Sequence, residues 1–324
     1  MSSPQIGSAI TRPDLRGAIY REWDTNGIAA TFIADRVLPE LPVQQKSATV
    51  KVIDREQYAK IAAITRSERS GYNRIDFEVG ETHYSIEEQG LECPVDTDKA
   101  AEMADYFSVE TEAGDIALYR SRLAHEKRVA DMMFNETTFA GHTTSAVTVW
   151  TTHASATPVN DILLASQAVY EACGVQPNTL ILPREGWDNL KECDDVVDRL
   201  GSSSSKDPKI ARLQSVAEIV DMQQILVAGA LYDSADKGQD ASLTDLWVNT
   251  HALVAYIRPR PAFDNLCLGG NLHWVNSKVG SEYKFRMEQY YEVANRQQII
   301  RCRRHVEPKL ISAECGYLIS GIAA

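Results

Sequence analysis

The sequence predicts an α+β protein whose helix-and-sheet body carries two projecting, extended elements. Three observations lead there. Residues 47–90 are extended and mostly polar, residues 94–142 hold a long charge-rich helical pattern with a thin apolar stripe, and the chain beyond Glu282 is rich in strand formers. Neither of the first two segments can bury a core of its own, and an isolated two-stranded hairpin is marginal in water. Neighbouring copies of the chain would supply the missing contacts, which points to a lattice-forming protein.

Residues 1–46 contain Pro4, Pro13, Pro39 and Pro42, which preclude one continuous element. Trp23, Phe32, Ile33 and Leu38 are too apolar for a solvated tail, so the segment is expected to be an arm lying over another surface. Ala48, Val50 and Val52 alternate with Thr49 and Lys51, a strand pattern. An Arg- and Ser-rich stretch follows, then a second extended run from Ile75 to Val79. The expected hairpin has arms of roughly 17–20 residues, reaching ~55–65 Å.

Pro94, Asp96, Thr97 and Asp98 supply helix-start chemistry. Apolar positions recur at Met103, Phe107, Ile116, Tyr119, Leu123, Ala130 and Phe134, with charges such as Arg120, Arg122, Glu126, Lys127, Arg128 and Asp131 between them. A continuous helix from Lys99 to Asn135 would be ~55 Å long. Gly114 and Val109-Glu110-Thr111 are its expected weak points.

Thr143–Thr152 is short and β-branched. Thr157 is placed to cap a helix opened by Pro158 and ended by Gly174. Thr179–Leu182 is an apolar strand, and Pro183 starts a helix through Trp187 and Leu190. After a loop at 201–208, Lys209–Leu213 reads as helix, and Ala217–Val220, Ile225–Ala228 and Leu246–Ile257 read as strands. The tail reads as strands Glu282–Val293, Gln298–His305 and Lys309–Ser320, joined at Asn295-Arg296 and Glu307-Pro308.

The formal net charge of −12 excludes an electrostatic nucleic-acid binder and favours solubility of free subunits. No 18-residue apolar run exists, so no membrane helix is expected, and the N-terminus lacks the apolar core of a signal peptide. Six scattered cysteines without a C-x-x-C pair suit a reduced cytoplasmic fold. Phosphate-binding, dinucleotide, zinc-protease and serine-hydrolase motifs are missing, so no catalytic residue, cofactor or metal is expected. A thiol hydrolase would have to combine Cys315 or Cys302 with His305 and lacks any local signature. Arg301 and Arg303 alternate onto one strand face, with Arg304 beside them, as a solvated or interfacial sheet face. Arg66, Arg69, Tyr72 and Arg74 sit at the presumed hairpin tip, and both residue types favour interfaces.

The order arm, hairpin, long helix, α/β region and returning strands resembles the Hong Kong 97-type major capsid protein of tailed bacteriophages. The likeness is sharpest from Thr157-Pro158-Val159-Asn160-Asp161-Ile162 through Gly174-Val175-Gln176-Pro177-Asn178 to Thr179–Leu182, with Trp187 and Leu190 following. Ile225–Ala230 followed by Leu246-Trp247, and Tyr290–Val293, are similar to later strands of that family. The order spans nearly the whole chain; each motif alone is short and degenerate.

The resemblance implies an N-terminal arm at 1–46, an extended loop at 47–90, a peripheral domain from 91–145 and 271–324 with a spine helix, and an axial α/β domain at 146–270. It implies a non-enzymatic subunit of an icosahedral shell that self-assembles into pentamers and hexamers around double-stranded DNA. Portal, scaffolding and decoration proteins would be partners; the location would be the virion, with assembly in the host cytoplasm. An arm that starts almost at Met1 would leave scaffolding to a separate protein or to none. Some members crosslink neighbours through a Lys–Asn bond; Lys51 and Lys60 lie in the hairpin, but nothing pairs either with an Asn. DNA contacts would be weak and sequence-blind, with Arg120, Arg122, Lys127 and Arg128 on the spine helix as first candidates. An encapsulin-like cellular shell is the alternative, separated by cargo instead of DNA. A cytoplasmic enzyme with an unrecognised site is a further one, separated by a small oligomer with a deep polar pocket.

Overall fold

Two sheets and one long helix organise the computed structural model, which describes residues 10–11, 31–52, 61, 64–66, 72–76, 78–103, 108–200, 208–275 and 285–323. The first sheet runs β1 (Ile10–Thr11), β13 (Arg286–Glu292), β14 (Gln297–Leu310), β12 (Gly269–Trp274) and β2 (Glu40–Val43), with β5 (Glu88–Asp96) also paired to β14. The second runs β6 (Thr143–Ser145), β15 (Gly316–Ser320), β11 (His251–Ala255), β7 (Thr179–Pro183) and β8 (Gln224–Ala228). Two ribbons stand apart: β3 (Ser47–Val52) with β4 (Gly80–Ser85), and β9 (Leu231–Asp233) with β10 (Leu243–Asp245).

The expected single helix is two. Helix α2 (Thr97–Met103) precedes α3 (Val109–Met133), and Ser108 caps α3 by accepting a hydrogen bond from the Thr111 amide at 3.4 Å. Twenty-five residues span ~37 Å at 1.5 Å each. Gly114, an expected weak point, lies buried within the helix. Phe107 falls outside the described residues. The buried face is Ala113, Ala117, Leu118, His125, Glu126, Val129, Ala130 and Met133, whereas Ile116 of the expected stripe faces outward. Ala117 and Leu118 pack on Met287, Ile300 and Cys302 of the first sheet. Val129 and Met133 join the core under the second, with Ile181, Leu253 and Leu318. One helix therefore bridges both sheets.

Helix α4 (Pro158–Cys173) has Pro158 in its first turn and ends at Gly174, whose φ of 65° is the left-handed cap. Thr157 makes no side-chain cap; the Val159 amide donates instead to Asp195 at 3.3 Å. Asp195 belongs to α6 (Asp194–Leu200), which follows α5 (Arg184–Glu192). Helix α7 (Pro208–Ile219) absorbs most of the expected strand at Ala217–Val220. Val216, Ala217 and Val220 are buried at helical spacing, an apolar run whose period a short window does not resolve. The Leu246–Ile257 region holds a strand only at β11; Leu246 and Trp247 are buried in the loop before it.

Among the described residues the hairpin ladder runs from Ser47↔Ser85 to Val52↔Gly80, shorter than the expected arms. Ile75, Asp76, Glu78 and Val79 lie in no strand. At the root, Leu41, Val43, Tyr84, Ile86 and Leu272 form a small core, with Phe263 stacked on Tyr84 at 5.8 Å.

The expected break at Glu307-Pro308 does not occur, because β14 runs through it. Pro308 opposes Asn271, whose amide donates to Pro39 on the other side. The pair is therefore not hydrogen-bonded, and the proline nitrogen points toward the edge where β5 has ended at His305. No ladder bond is lost. Gly316–Ser320, which the resemblance assigns with 91–145 and the rest of 271–324 to the peripheral domain, pairs with β11 and β6. Its apolar run completes the second sheet, Leu318 facing one core and Ile319 the other.

Candidate assembly surfaces

One buried carboxylate accepts both amides that open the helix of the N-terminal segment. Glu126, 1% exposed in mid-α3, accepts from the Ile33 amide at 3.0 Å and the Ala34 amide at 2.9 Å. These amides open α1 (Ala34–Val37), whose N-cap has no side-chain acceptor of its own. The same carboxylate accepts from Trp247 Nε1 at 2.7 Å. Burial pushes its pKa up to about 7, against the three donors. Next to it His125 Nε2 lies 3.4 Å from Asp35 of α1, and Asn271 Nδ2 donates to the same Asp35 at 3.3 Å. Burial, then the nearby Arg304, push the His125 pKa down to about 4. Phe32 adds an edge contact to Tyr119 at 5.8 Å. At Phe32–Ala34 this segment packs on the chain's own α3, and at Ile10-Thr11 it pairs with β13. Trp23 is outside the described residues.

Between β3 and β4 the structure brings Arg66 and Tyr72 together, the guanidinium carbon 4.9 Å from the ring centroid. Tyr72 and Arg74 are exposed, as are Ile61, Ile64 and Ile75. Arg69 lies outside the described residues, as does Lys60.

The four basic residues of α3 differ in their surroundings. Arg120 is exposed, Lys127 pairs with Asp131 on its own helix, and Arg128 pairs with Glu307 of β14. Arg122 is half-buried, near enough to Cys302 to act on its thiol. Arg301 and Arg303 do share a face, where their own sheet neutralises them. Arg301 meets Glu92 at 2.7 Å, Arg303 meets Glu288 at 2.7 Å and Glu88 at 2.8 Å, and Arg286 meets Glu288 at 3.2 Å. Arg304 points to the opposite face, buried over the Phe285 ring at 4.2 Å.

The thiol arrangement fails on geometry. Cys302 and His305, three residues apart on β14, face opposite sides of the sheet. Burial pushes the Cys302 thiol up to about 12, and Cys315 is raised by its hydrogen bond with Cys173 and by burial. Neither is a thiolate nucleophile. Among the described residues no group of three or more His, Cys, Asp or Glu gathers as a metal site, and no helix is long and apolar enough to cross a membrane.

Sequence reasoning missed Glu126 and His125, treating the first as one of the outward charges. A faint signal existed: the stripe leaves a gap between Leu123 and Ala130, and position 126 fills it at helical spacing.

No family model matches the chain. It is 25% identical over 299 residues to the major capsid protein of Burkholderia phage BcepMu, covering 90% of this chain and 92% of that one. A phage-related protein of Bordetella bronchiseptica superposes with a TM-score of 0.70 at 21% identity, over 97% of this chain and 98% of that one. The capsid structure of cyanophage P-SCSP1u gives 0.56 at 10% identity, over 88% of this chain and 86% of that one.

Proposed function

We propose that this chain, whose fold is the Hong Kong 97-type capsid fold, is the structural subunit of an icosahedral phage shell. The observation that carries the reading is the likeness, along nearly the whole chain, to a phage major capsid protein. The role is geometric and non-catalytic. Helix α3 ties the two sheets into one wedge, and pentamers and hexamers of such wedges would enclose double-stranded DNA. The hairpin tip, through Arg66, Arg69, Tyr72 and Arg74, would overlap a neighbour. Portal, scaffolding and decoration proteins are its natural partners, and the virion its location.

With a net charge of −12, the shell holds DNA by few, local, sequence-blind contacts. Arg120 is the best placed of the helix set, because Lys127 and Arg128 already have acidic partners in the chain.

Negative-stain microscopy of the purified chain tests this reading. Closed shells that survive nuclease treatment are expected. A homogeneous small oligomer would contradict it, and shells filled with protein cargo rather than DNA in the native host would move it to a cellular compartment.

A further inference from the structure

Several cations of the helices and of β14 are answered within the chain: Arg128 by Glu307, Arg184 by Asp188, Arg199 by Asp195 and Arg303 by Glu288. The loop between β11 and β12 departs from this. Among the described residues no acidic group pairs with Arg258 or Arg260, which flank Pro259, nor with Lys309. Arg260 is exposed and Arg258 half-buried. Burial and then Asp35 push the pKa of Glu40 on the adjoining β2 up, so no cation of the loop stabilises that carboxylate.

The loop is held in place. Asn178 donates from Nδ2 to the Ile257 carbonyl at 2.7 Å and accepts the Ile257 amide at 2.9 Å, which fixes both backbone groups at the loop's start. At its end the Leu268 amide donates to the Tyr256 carbonyl at 3.1 Å. Pro259 and Pro261 fix φ on either side of Arg260. Lys309 comes to the same place. It opposes Gly270 across the β12–β14 pair, and opposed residues share a sheet face. A Cβ added at Gly270 would lie 2.9 Å from Pro261 Cγ, so that face is the one the loop covers.

We propose that Arg258 and Arg260, with Lys309 beside them, contact the phosphates of packaged DNA from a pre-set loop. The inference rests on the shell reading and names a contact outside the long helix. A guanidinium group pairs with phosphate in a two-pronged fork, and a contact to phosphate needs no matching protein surface or base sequence. In a chain of net charge −12, cations left without an acid on a held loop are the groups that a polyanion can reach without first breaking an internal pair. Each contact is weak, and repetition over the copies of a shell makes the sum count. Asn178 acts through the backbone as the positioning residue of this loop.

Chemical protection tests the assignment. DNA-filled particles, the same particles after DNA ejection, and unassembled chains are treated with phenylglyoxal, and modification of each arginine is read by mass spectrometry. Arg258 and Arg260 are expected to be protected in filled particles and to regain the reactivity of the unassembled chain once the DNA is gone. Arg296, exposed at the β13–β14 turn, should react alike in filled and emptied particles. Equal reactivity of Arg258 and Arg260 in filled and emptied particles would overturn the assignment and leave the shell reading standing. Within that result, protection in both would mean that a neighbouring copy covers the loop. No particles from the unsubstituted chain would remove both. In a second arm, Arg258→Gln with Arg260→Gln, which breaks no described ion pair, should form normal shells that release DNA at a lower temperature than the parent. Unchanged release would count equally against the proposal.

Discussion

Trp247 donates its indole N–H to Glu126 at 2.7 Å, so the carboxylate that caps the arm's short helix also holds the loop before β11. Arm, long helix and second sheet meet at one buried side chain. Replacing Glu126 with Ala strands three donors, each costing ~1–3 kcal/mol when left buried and unpaired. Glu126→Ala should therefore destabilise the chain by about 3 kcal/mol or more, while Glu126→Gln keeps one acceptor oxygen and loses less. Denaturant unfolding measures both, and hydrogen exchange at Ile33 and Ala34 should rise sharply in the Ala variant. Unchanged protection there would separate the arm from Glu126.

Glu126 and its helix neighbour His125 predict an unusual pH response. Glu126 is raised from 4.5 to about 7, so the folded state holds its proton more tightly, and its contribution is present at low pH and lost as pH rises through 7. His125 is lowered from 6.5 to about 4, so the folded state resists protonation, and stability falls as pH drops from 6.5 toward 4. The two slopes oppose across the interval they share. The parent chain should show a shallow dependence between pH 4.5 and 6.5. Glu126→Gln should lose stability on acidification, and His125→Gln should gain it. Identical pH profiles for all three chains would contradict the assignment.

Gly90 faces Arg303 across the β5–β14 pair, where an added Cβ would lie 2.8 Å from the Cys302 carbonyl oxygen and 2.9 Å from Arg303 Cβ. Backbone cannot yield cheaply, so Gly90→Ala should cost ~1–3 kcal/mol. Thermal unfolding checks this, and a neutral result would mean that β5 can lift from the sheet.

Glu288 has a side chain 6% exposed and meets Arg286, Arg301 and Arg303. Glu288→Gln removes the charge those guanidinium groups share, and breaking such a buried arrangement costs about 3 kcal/mol. Glu92, 45% exposed, pairs only at the rim, and Glu92→Gln should cost ~0–1 kcal/mol. Equal losses from both would show that burial does not set the worth of these pairs.

Local chemistry was legible where a residue acts on its own neighbours. Pro158 and Gly174 bound α4, and the apolar run Thr179–Leu182 is β7. The alternation of Arg301 and Arg303 correctly placed them on one face, although their three acidic partners come from two other strands. What stayed hidden depends on distant chain. Pro308 looks like a strand end until Asn271 is known to bond Pro39. Gly316–Ser320 cannot reveal which sheet it joins, because either offers an apolar slot. Glu126 reads as solvated until the arm's amides are brought to it. The same limit applies to Arg66, Tyr72 and Arg74: residues favoured at interfaces mark a surface and do not say what it meets.

Replacing the expected hairpin tip, residues 66–74, with a short Gly-Ser turn should leave the subunit folded, because none of the described residues there belongs to the core. Sedimentation velocity of this variant beside the parent chain is the most direct test that the hairpin ties the lattice. The account predicts shells from the parent, and free subunits or unlinked capsomers with native circular dichroism from the variant. Normal shells from the variant, with unchanged resistance to salt and heat, would contradict it.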